Sequence, residues 1–404
     1  MPVTSGRSAL RPPDHPHRRS PAWRLGLAGL AGVGVSFGFA RYGYGLFLPE
    51  IRDEFGMSVS LVGLVGSASY VGYLGALVLV GLLSSRVGPR VLVVIGGSSA
   101  AVGTALVGLA PGVGVLTVGL VMAGTSPGWI WAPYSDAVDR MVPADARARV
   151  LALIPSGTAF GVAVAGPVAM VAHGSAWRYA WLVFAAGSAV ATVLNARVLP
   201  AGPPQRTGGS SVGPPLRWFV RRAAMPLYVT AVSYGVVGAV YWLLAVEAVT
   251  AGAGTGGVVR AVFWTLMGVA GTAGVATGAV FVRFGLRWAH RALFAALAVA
   301  VALLGVLAHV PVAVGVSAVV YGPAFMAGSA LLAVWSYRVF PERPTTGFSA
   351  TVFFLGVGTV LGPAVVGGVA ERYGVSVALL GTALVAASTL LVAPPVSTGA
   401  SVPT

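Results

Sequence analysis

The sequence predicts an all-α protein of about twelve membrane-spanning helices, arranged as two similar six-helix halves, and three observations predict it. Of 404 residues, 57% are apolar and only 9% are charged, with a mean hydropathy of +0.88. A water-facing surface ordinarily needs about a quarter of the residues charged, so most of this chain takes lipid as its solvent. Second, apolar runs of about 20 residues, the length that crosses the hydrocarbon core, recur along the whole chain. Third, the second half repeats features of the first at a fixed offset.

The runs fall near 25–48, 60–84, 91–110, 113–137, 149–171, 177–199, 223–247, 257–282, 289–309, 311–337, 347–370 and 374–394. Pro127, Pro133 and Pro323 lie inside the fourth and tenth and blur their ends. The first run follows Arg18, Arg19 and Arg24 and has the pattern of a secretory signal. So many further runs follow that it reads as a retained first helix.

Arginine placement tests the count. The 25 basic residues are all arginine. With the amino terminus on the cytoplasmic side, that side collects Arg7, Arg11, Arg18, Arg19 and Arg24 in the tail, then Arg86 and Arg90, then Arg140, Arg147 and Arg149. It also collects Arg197, Arg206, Arg217, Arg221 and Arg222, then Arg283, Arg287 and Arg291, and finally Arg338 and Arg343. The other side holds only Arg52, Arg178, Arg260 and Arg372, and Arg41 lies within a span. Cytoplasmic loops of membrane proteins are enriched in arginine, and a wrong span count would scramble this alternation. It places both termini in the cytoplasm of a bacterial inner-membrane protein. It also explains the net charge of +15 without nucleic acid, because the arginines stand mostly singly between apolar runs.

The longest polar interruption, from about 200 to 222, contains two Pro-Pro pairs and Gly208-Gly209. It reads as a flexible linker. The expected organisation is a tail at 1–24, a six-helix bundle at 25–199, the linker at 200–222, a second bundle at 223–395 and a tail at 396–404. The halves repeat: Arg86 and Arg283, Gly88 and Gly285, and Arg90 and Arg287 are each 197 apart. The same offset relates Glu50 to Glu247, Tyr44 to Tyr241 and Phe37 to Tyr234, while Gly166-Pro167 answers Gly362-Pro363 at 196. Parallel repeats of this kind occur in transporters whose bundles rock about a central site.

The stretch Gly81-Leu-Leu-Ser-Ser-Arg86-Val-Gly88-Pro-Arg90 resembles the cytoplasmic signature G-x-L-[AS]-D-R-x-G-[RK]-[RK] of the major facilitator superfamily. With the repeat, the resemblance extends over about 25–395. Ser85 stands where the signature has its acid, which in the family helps to lock a closed state. The lock is therefore expected to be weaker or built otherwise, with Asp136 and Asp139 as candidate partners for Arg86 or Arg90. Gly38-Phe-Ala-Arg41-Tyr-Gly-Tyr44 is similar to a poorly characterised bacterial branch, marked by an arginine followed by aromatics in the first helix. Gly157-x-x-x-Gly161 with Gly166-Pro167, and Gly358-x-x-x-Gly362 with Pro363 and Gly367-Gly368, resemble the span-five motif associated with antiporters. Their physical content is close helix approach and a proline bend.

Arg41 carries most of the expected chemistry. An arginine inside a span costs about 2.5–3.5 kcal/mol on insertion scales and usually faces a cavity or partner. On a regular α-helix Phe37, Arg41, Tyr44 and Leu48 share one stripe. The resemblance implies that spans one and seven line the central cavity, so Arg41 with Phe37, Tyr44, Tyr234 and Tyr241 suits an anionic or aromatic solute. Trp131, Tyr321 and Phe325 of spans four and ten are further candidates for that lining. Competing readings have Arg41 snorkelling outward or pairing with Glu50 or Glu247, and the tyrosines in an interfacial belt. Glu50 and Glu247, with Asp136, are the candidate proton carriers. The gating loops hold Gly81, Arg86, Gly88 and Arg90, with Arg283, Gly285 and Arg287 as counterparts.

Cysteine is absent, the five histidines lack metal-ligand spacing and no P-loop occurs, so no metal, cofactor or enzymatic activity is expected. The resemblance implies a monomeric secondary transporter in the lipid bilayer, moving a small organic solute by alternating access. Proton-coupled export is the first expectation and proton-linked uptake of a small organic anion the second. A receptor or scaffold that does not transport is the reading from another class.

Overall fold

The computed structural model describes residues 21–172, 174–203, 216–253, 257–342, 344–392 and 394. Outside them lie the tail arginines up to Arg19, most of the linker with Gly208 and Gly209, His173, Arg343 and the carboxy-terminal tail, and also the side chain of Ser85. Every regular element among the described residues is helical. Ten helices are long and apolar enough to cross a membrane. Two shorter apolar helices, Val258–Gly274 and Val375–Thr389, stand where the sequence predicts the eighth and twelfth spans.

Chain order gives α1 (Pro21–Val33), α2 (Leu48–Phe55), α3 (Val59–Ser84), α4 (Arg86–Gly108), α5 (Val113–Met141), α6 (Ala144–Val171) and α7 (Trp177–Val198). The second half has α8 (Met225–Ala253), α9 (Gly257–Gly271), α10 (Leu286–Leu307), α11 (Pro311–Val339), α12 (Pro344–Tyr373) and α13 (Val375–Thr389). The halves meet along α3 against α12 and α6 against α9. The outer faces are apolar, with Leu82 65% and Leu384 70% exposed. In water such faces would aggregate; in hydrocarbon they need no cover.

Glycine makes the close crossings. Gly157 and Gly161 rest on the backbone of Leu30 and Gly34, and a methyl on Gly38 would collide with Gly161. Across the halves, Gly166 lies on Ala261 and Thr265, while Gly63 lies on Pro363 and Gly367. Small residues let helix backbones approach, and van der Waals contact then substitutes for a hydrophobic driving force that lipid cannot supply. Gly161→Val is therefore expected to overpack the crossing and destabilise by about 1–3 kcal/mol. Gly368→Ala, with nothing within 4 Å of an added methyl, is the neutral control in a thermal unfolding series.

The repeated Gly88 and Gly285 have a shared backbone reason. Their φ values of 77° and 79° lie in the left-handed region, which glycine enters without steric cost. Gly88 kinks the chain in the first turn of α4, and Gly285 turns the helix Thr277–Phe284 into α10, both at the arginine-rich end.

The first span departs from the regular helix expected over 25–48. After α1 the chain runs as π-helix from Gly34 to Arg41, then as a short helix Gly43–Leu46, before α2. The Tyr42 N–H donates to Phe37 O at 3.1 Å, five residues back. The 3.6-residue spacing assumed for the stripe of Phe37, Arg41, Tyr44 and Leu48 is therefore not the local geometry, yet Phe37 still meets Arg41, and Arg41 and Tyr44 line one cavity. Single π segments recur at functional sites, where they re-aim side chains. The eighth span is likewise irregular, passing from α9 through a 3₁₀ stretch, Thr272–Ala276, to Thr277–Phe284, in a run rich in glycine. In the linker, Leu216–Phe219 forms a helical turn whose Trp218 packs on Phe340 at 4.7 Å between ring centroids.

Candidate functional site

Arg41 lies at the end of the π segment, between the halves. Its guanidinium carbon sits 4.1 Å from the ring centre of Tyr73, 4.5 Å from Tyr70 and 5.6 Å from Phe37. These rings face a cation with their negative quadrupole, worth about 0.5–2 kcal/mol per contact. Tyr70 and Tyr73 are three apart on α3 and so share a helix face. Arg41 Nε and Nη1 are buried with no hydrogen-bond partner among the described residues. None of the six ion pairs among the described residues includes Arg41.

A cavity of about 20 Å³ opens beside the guanidinium, room for about one water. It is lined from α3 by Gly66, Ser69 and Tyr70, from the first span by Arg41 and Tyr44, and from α8 by Trp242 and others. No carboxylate among the described residues lines it. Ser69 donates to Leu120 O at 3.0 Å, whereas the Tyr44 hydroxyl and Trp242 Nε1 are buried without partners.

Tyr42 stacks on Trp242 at 4.1 Å and meets Phe325 edge-on at 6.3 Å, joining the first span to the second half. Phe37, Arg41 and Trp131 come together, with Trp131 edge-on to Phe37 at 5.6 Å. Tyr234, Phe325, Tyr321 and Tyr241 form a second group, a column with spacings of 5.0, 5.4 and 3.6 Å. Tyr241 is its far end; fully buried and hydrogen-bonded to Ser317 at 2.7 Å, it lies neither in a belt nor on the cavity. Tyr44, 5% exposed, is no belt residue either.

The carboxylates are engaged elsewhere. Glu50 forms a two-pronged ion pair with Arg260, one prong from Nη1 at 2.7 Å, and Glu247 pairs with Arg52. Both pairs cross between the halves, so the reading in which either acid neutralises Arg41 is corrected. The Glu371 carboxylate accepts from Ser60 N–H at 2.7 Å, again across the halves. All three contacts lie at the arginine-poor end. At the arginine-rich end, the described ion pairs stay within a half: Asp136 with Arg140, Asp139 with Arg147 and Glu342 with Arg221. Arg86 is exposed, and Arg90 instead donates to Leu199 O at 2.8 Å, so the expected partnership with Asp136 or Asp139 is not formed. Gly81 is exposed with open space around it, and Arg287 is exposed, while Arg283 packs over Phe284.

At the arginine-poor end, Glu54 accepts from Trp177 Nε1 and Arg178 Nη2, both at 2.6 Å. Desolvation raises its pKa, but the hydrogen bonds from Arg178 and Trp177 outweigh this and leave it below the ordinary carboxylate value. A depressed pKa contributes stability above the unfolded value that is lost as pH falls through the folded one. Glu54→Gln is accordingly expected to flatten the acid limb of a stability-against-pH curve measured in detergent.

Three kinds of likeness bear on this arrangement. Residues 15–398 match the family described as the uncharacterised MFS-type transporter YbfB. The probable sulfoacetate transporter SauU of Cupriavidus necator is 30% identical over 149 residues, 37% of this chain and 35% of that protein. The hexuronate transporter of Bacillus subtilis is 28% identical over 136 residues, 33% of this chain and 32% of that protein. The chain thus matches about a third of the length of these curated relatives. Among solved structures, the nucleoside transporter NupG superposes with a TM-score of 0.73 at 13% identity, covering 91% of this chain and 98% of that one. An inward-facing, occupied bacterial homologue of the human lysosomal transporter Spinster gives 0.72 at 14%, covering 94% and 97%. At these identities the structural likeness establishes the fold.

Proposed function

The chain belongs to the YbfB family of MFS-type transporters, and on that premise we propose that it carries a small organic anion across the bacterial inner membrane by alternating access. The supporting observation is Arg41, a half-buried arginine between the halves whose Nε and Nη1 are buried and which no carboxylate among the described residues pairs with. A desolvated charge is costly unless something pairs with it, and a carboxylate or sulfonate oxygen would supply that partner in the bound state. Two partial relatives are named for sulfoacetate and hexuronate, both anions.

The Gly-Pro elements no longer argue for export, because Gly157, Gly161 and Gly166 are accounted for by helix crossings. Uptake of an anion works against an interior-negative potential by about 2.3 kcal/mol per charge per 100 mV, so it requires a co-transported cation. Protons suit this role. Glu50 and Glu247 are the acids placed where protonation would act, since each bridges the halves. Asp136 is held by Arg140 within one half. In this reading the chain crosses the membrane twelve times as a monomer, with both termini cytoplasmic, bundles at 25–199 and 223–395, and the loops around Gly88 and Gly285 flexing as the bundles rock. The ion pairs at the arginine-poor end then close the outer side.

Proteoliposome uptake tests the proposal. Sulfoacetate or glucuronate should accumulate under an imposed inward pH gradient and collapse with a protonophore. Taurine, a sulfonate whose ammonium group finds no carboxylate in the cavity, should be carried poorly. Equal flux with and without the gradient would remove proton coupling, and no flux of any anion would remove the substrate class.

A further inference from the structure

Beyond Arg41, the cavity contains a second buried donor, and it comes from the other half of the chain. Trp242 of α8 is 2% exposed, lines the cavity beside Arg41, and its Nε1 has no acceptor among the described residues. An indole N–H is a donor only, and a buried Trp usually finds an acceptor for it. Its neighbours explain the ring and leave the N–H unexplained. The face stacks on Tyr42 at 4.1 Å, and Trp264, Phe325 and Tyr321 lie around it at 5.2–5.7 Å with near-perpendicular rings. These contacts satisfy the aromatic surface but offer no acceptor beyond π-faces.

We infer that Trp242 is the second anion-contacting residue, donating its indole N–H from the carboxy-terminal half to the same oxyanion that Arg41 holds from the amino-terminal half. The inference rests on the anion reading of the site and sharpens it. The unpartnered groups at the cavity are Arg41 Nε and Nη1, the Tyr44 hydroxyl and Trp242 Nε1, which are donors or can donate. Such a lining suits a headgroup that is rich in acceptors and has no donors of its own, as ionised carboxylates and sulfonates are. At about 20 Å³ the cavity is too small for an organic anion, so binding must part Tyr42 from Trp242 or shift one half against the other. An anion bonded to both residues then becomes a bridge between the halves. Closure around it is favoured only when the bridge is present, which is what links substrate occupancy to the change of access.

The test is equilibrium binding of sulfoacetate and glucuronate to the full-length protein in detergent, with thermal midpoints recorded in parallel. Trp242→Phe keeps a six-membered ring to stack on Tyr42 and removes the N–H together with the five-membered ring that carries it. It is expected to weaken binding of the better anion about tenfold or more, with an unchanged thermal midpoint in the absence of ligand. Combined with Arg41→Lys, the losses should be non-additive, because two residues that hold one anion are coupled. Binding by Trp242→Phe within twofold of the parent overturns the inference while leaving the anion reading intact, as does strict additivity. A parent protein that binds neither anion overturns both. Should Trp242→Phe lower the thermal midpoint, Trp242→Tyr supplies a second variant whose side chain fills more of the space. Its hydroxyl lies at a different position, and affinity equal to the parent again overturns the inference.

Discussion

Arg41→Ala is expected to abolish anion transport, by a factor of a hundred or more, while the protein folds as well as before. Truncating one partner of a buried, hydrogen-bonded charge pair costs about 2–5 kcal/mol of binding, which is roughly 30- to several-thousandfold. Stability should hardly move, for two opposing reasons. Removing the guanidinium loses its contacts with Tyr70, Tyr73 and Phe37, yet it also removes a buried charge that no carboxylate compensates. A purely structural Arg41 would show the reverse, a large fall in thermal midpoint with little change in transport by the surviving folded fraction. Arg41→Lys should fall between, because an ammonium keeps the charge but not the flat two-pronged donor set. Transport and melting measured on the same preparations separate these outcomes.

The second large effect is expected at the arginine-poor end. Glu50 and Arg260 are 9% and 12% exposed at the side chain and bind each other from opposite halves. Reversing one partner alone, Arg260→Glu, sets two carboxylates face to face, and breaking a buried pair in this way costs about 3–5 kcal/mol. A penalty paid only in the conformation that is closed at this end shifts the conformational equilibrium by two orders of magnitude or more. The absence of cysteine makes the measurement clean, because a single engineered thiol is the only one present. With Ser69→Cys in the cavity lining, a membrane-impermeant thiol reagent added outside should label the Arg260→Glu variant readily and the parent slowly. Exchanging the charges, Glu50→Arg with Arg260→Glu, should restore protection. If the single reversal labels no faster than the parent, these pairs do not hold that end shut.

Much of the fold was legible because its causes are local. Apolar runs, arginine alternation and the 197-residue offset between Gly88 and Gly285 report on insertion and on backbone conformation, and each leaves a mark on neighbouring residues. The π segment through Arg41 was not legible; within it Gly38 lies against Gly161, a contact made 123 positions away. Just after that segment, Tyr42 lies at the interface between the halves, stacked on Trp242. The site was legible at Arg41 and at Phe37, Tyr44 and Trp131 near it, but not at its other aromatic residues. Tyr70 and Tyr73 carried a usable sign, aromatic residues three apart in the second span, whereas Trp242 stood unmarked beside Tyr241, which the repeat had singled out. Arg52 and Arg260 were read as topology signals alone, because nothing in their own sequence neighbourhood indicates that Glu247 and Glu50 lie opposite. Pairings between halves are set by tertiary packing and become visible only once the bundles are assembled.

The central claim is that a small organic anion is held by Arg41 between the two halves. A structure determined with sulfoacetate bound tests it most directly, since the compact tetrahedral sulfonate marks where the anion sits. The account predicts a sulfonate or carboxylate oxygen at about 2.7–2.9 Å from an Arg41 guanidinium nitrogen, with the aromatic rings of both halves around it. An anion seated at the arginine-rich loops with the Arg41 cavity still collapsed would contradict it.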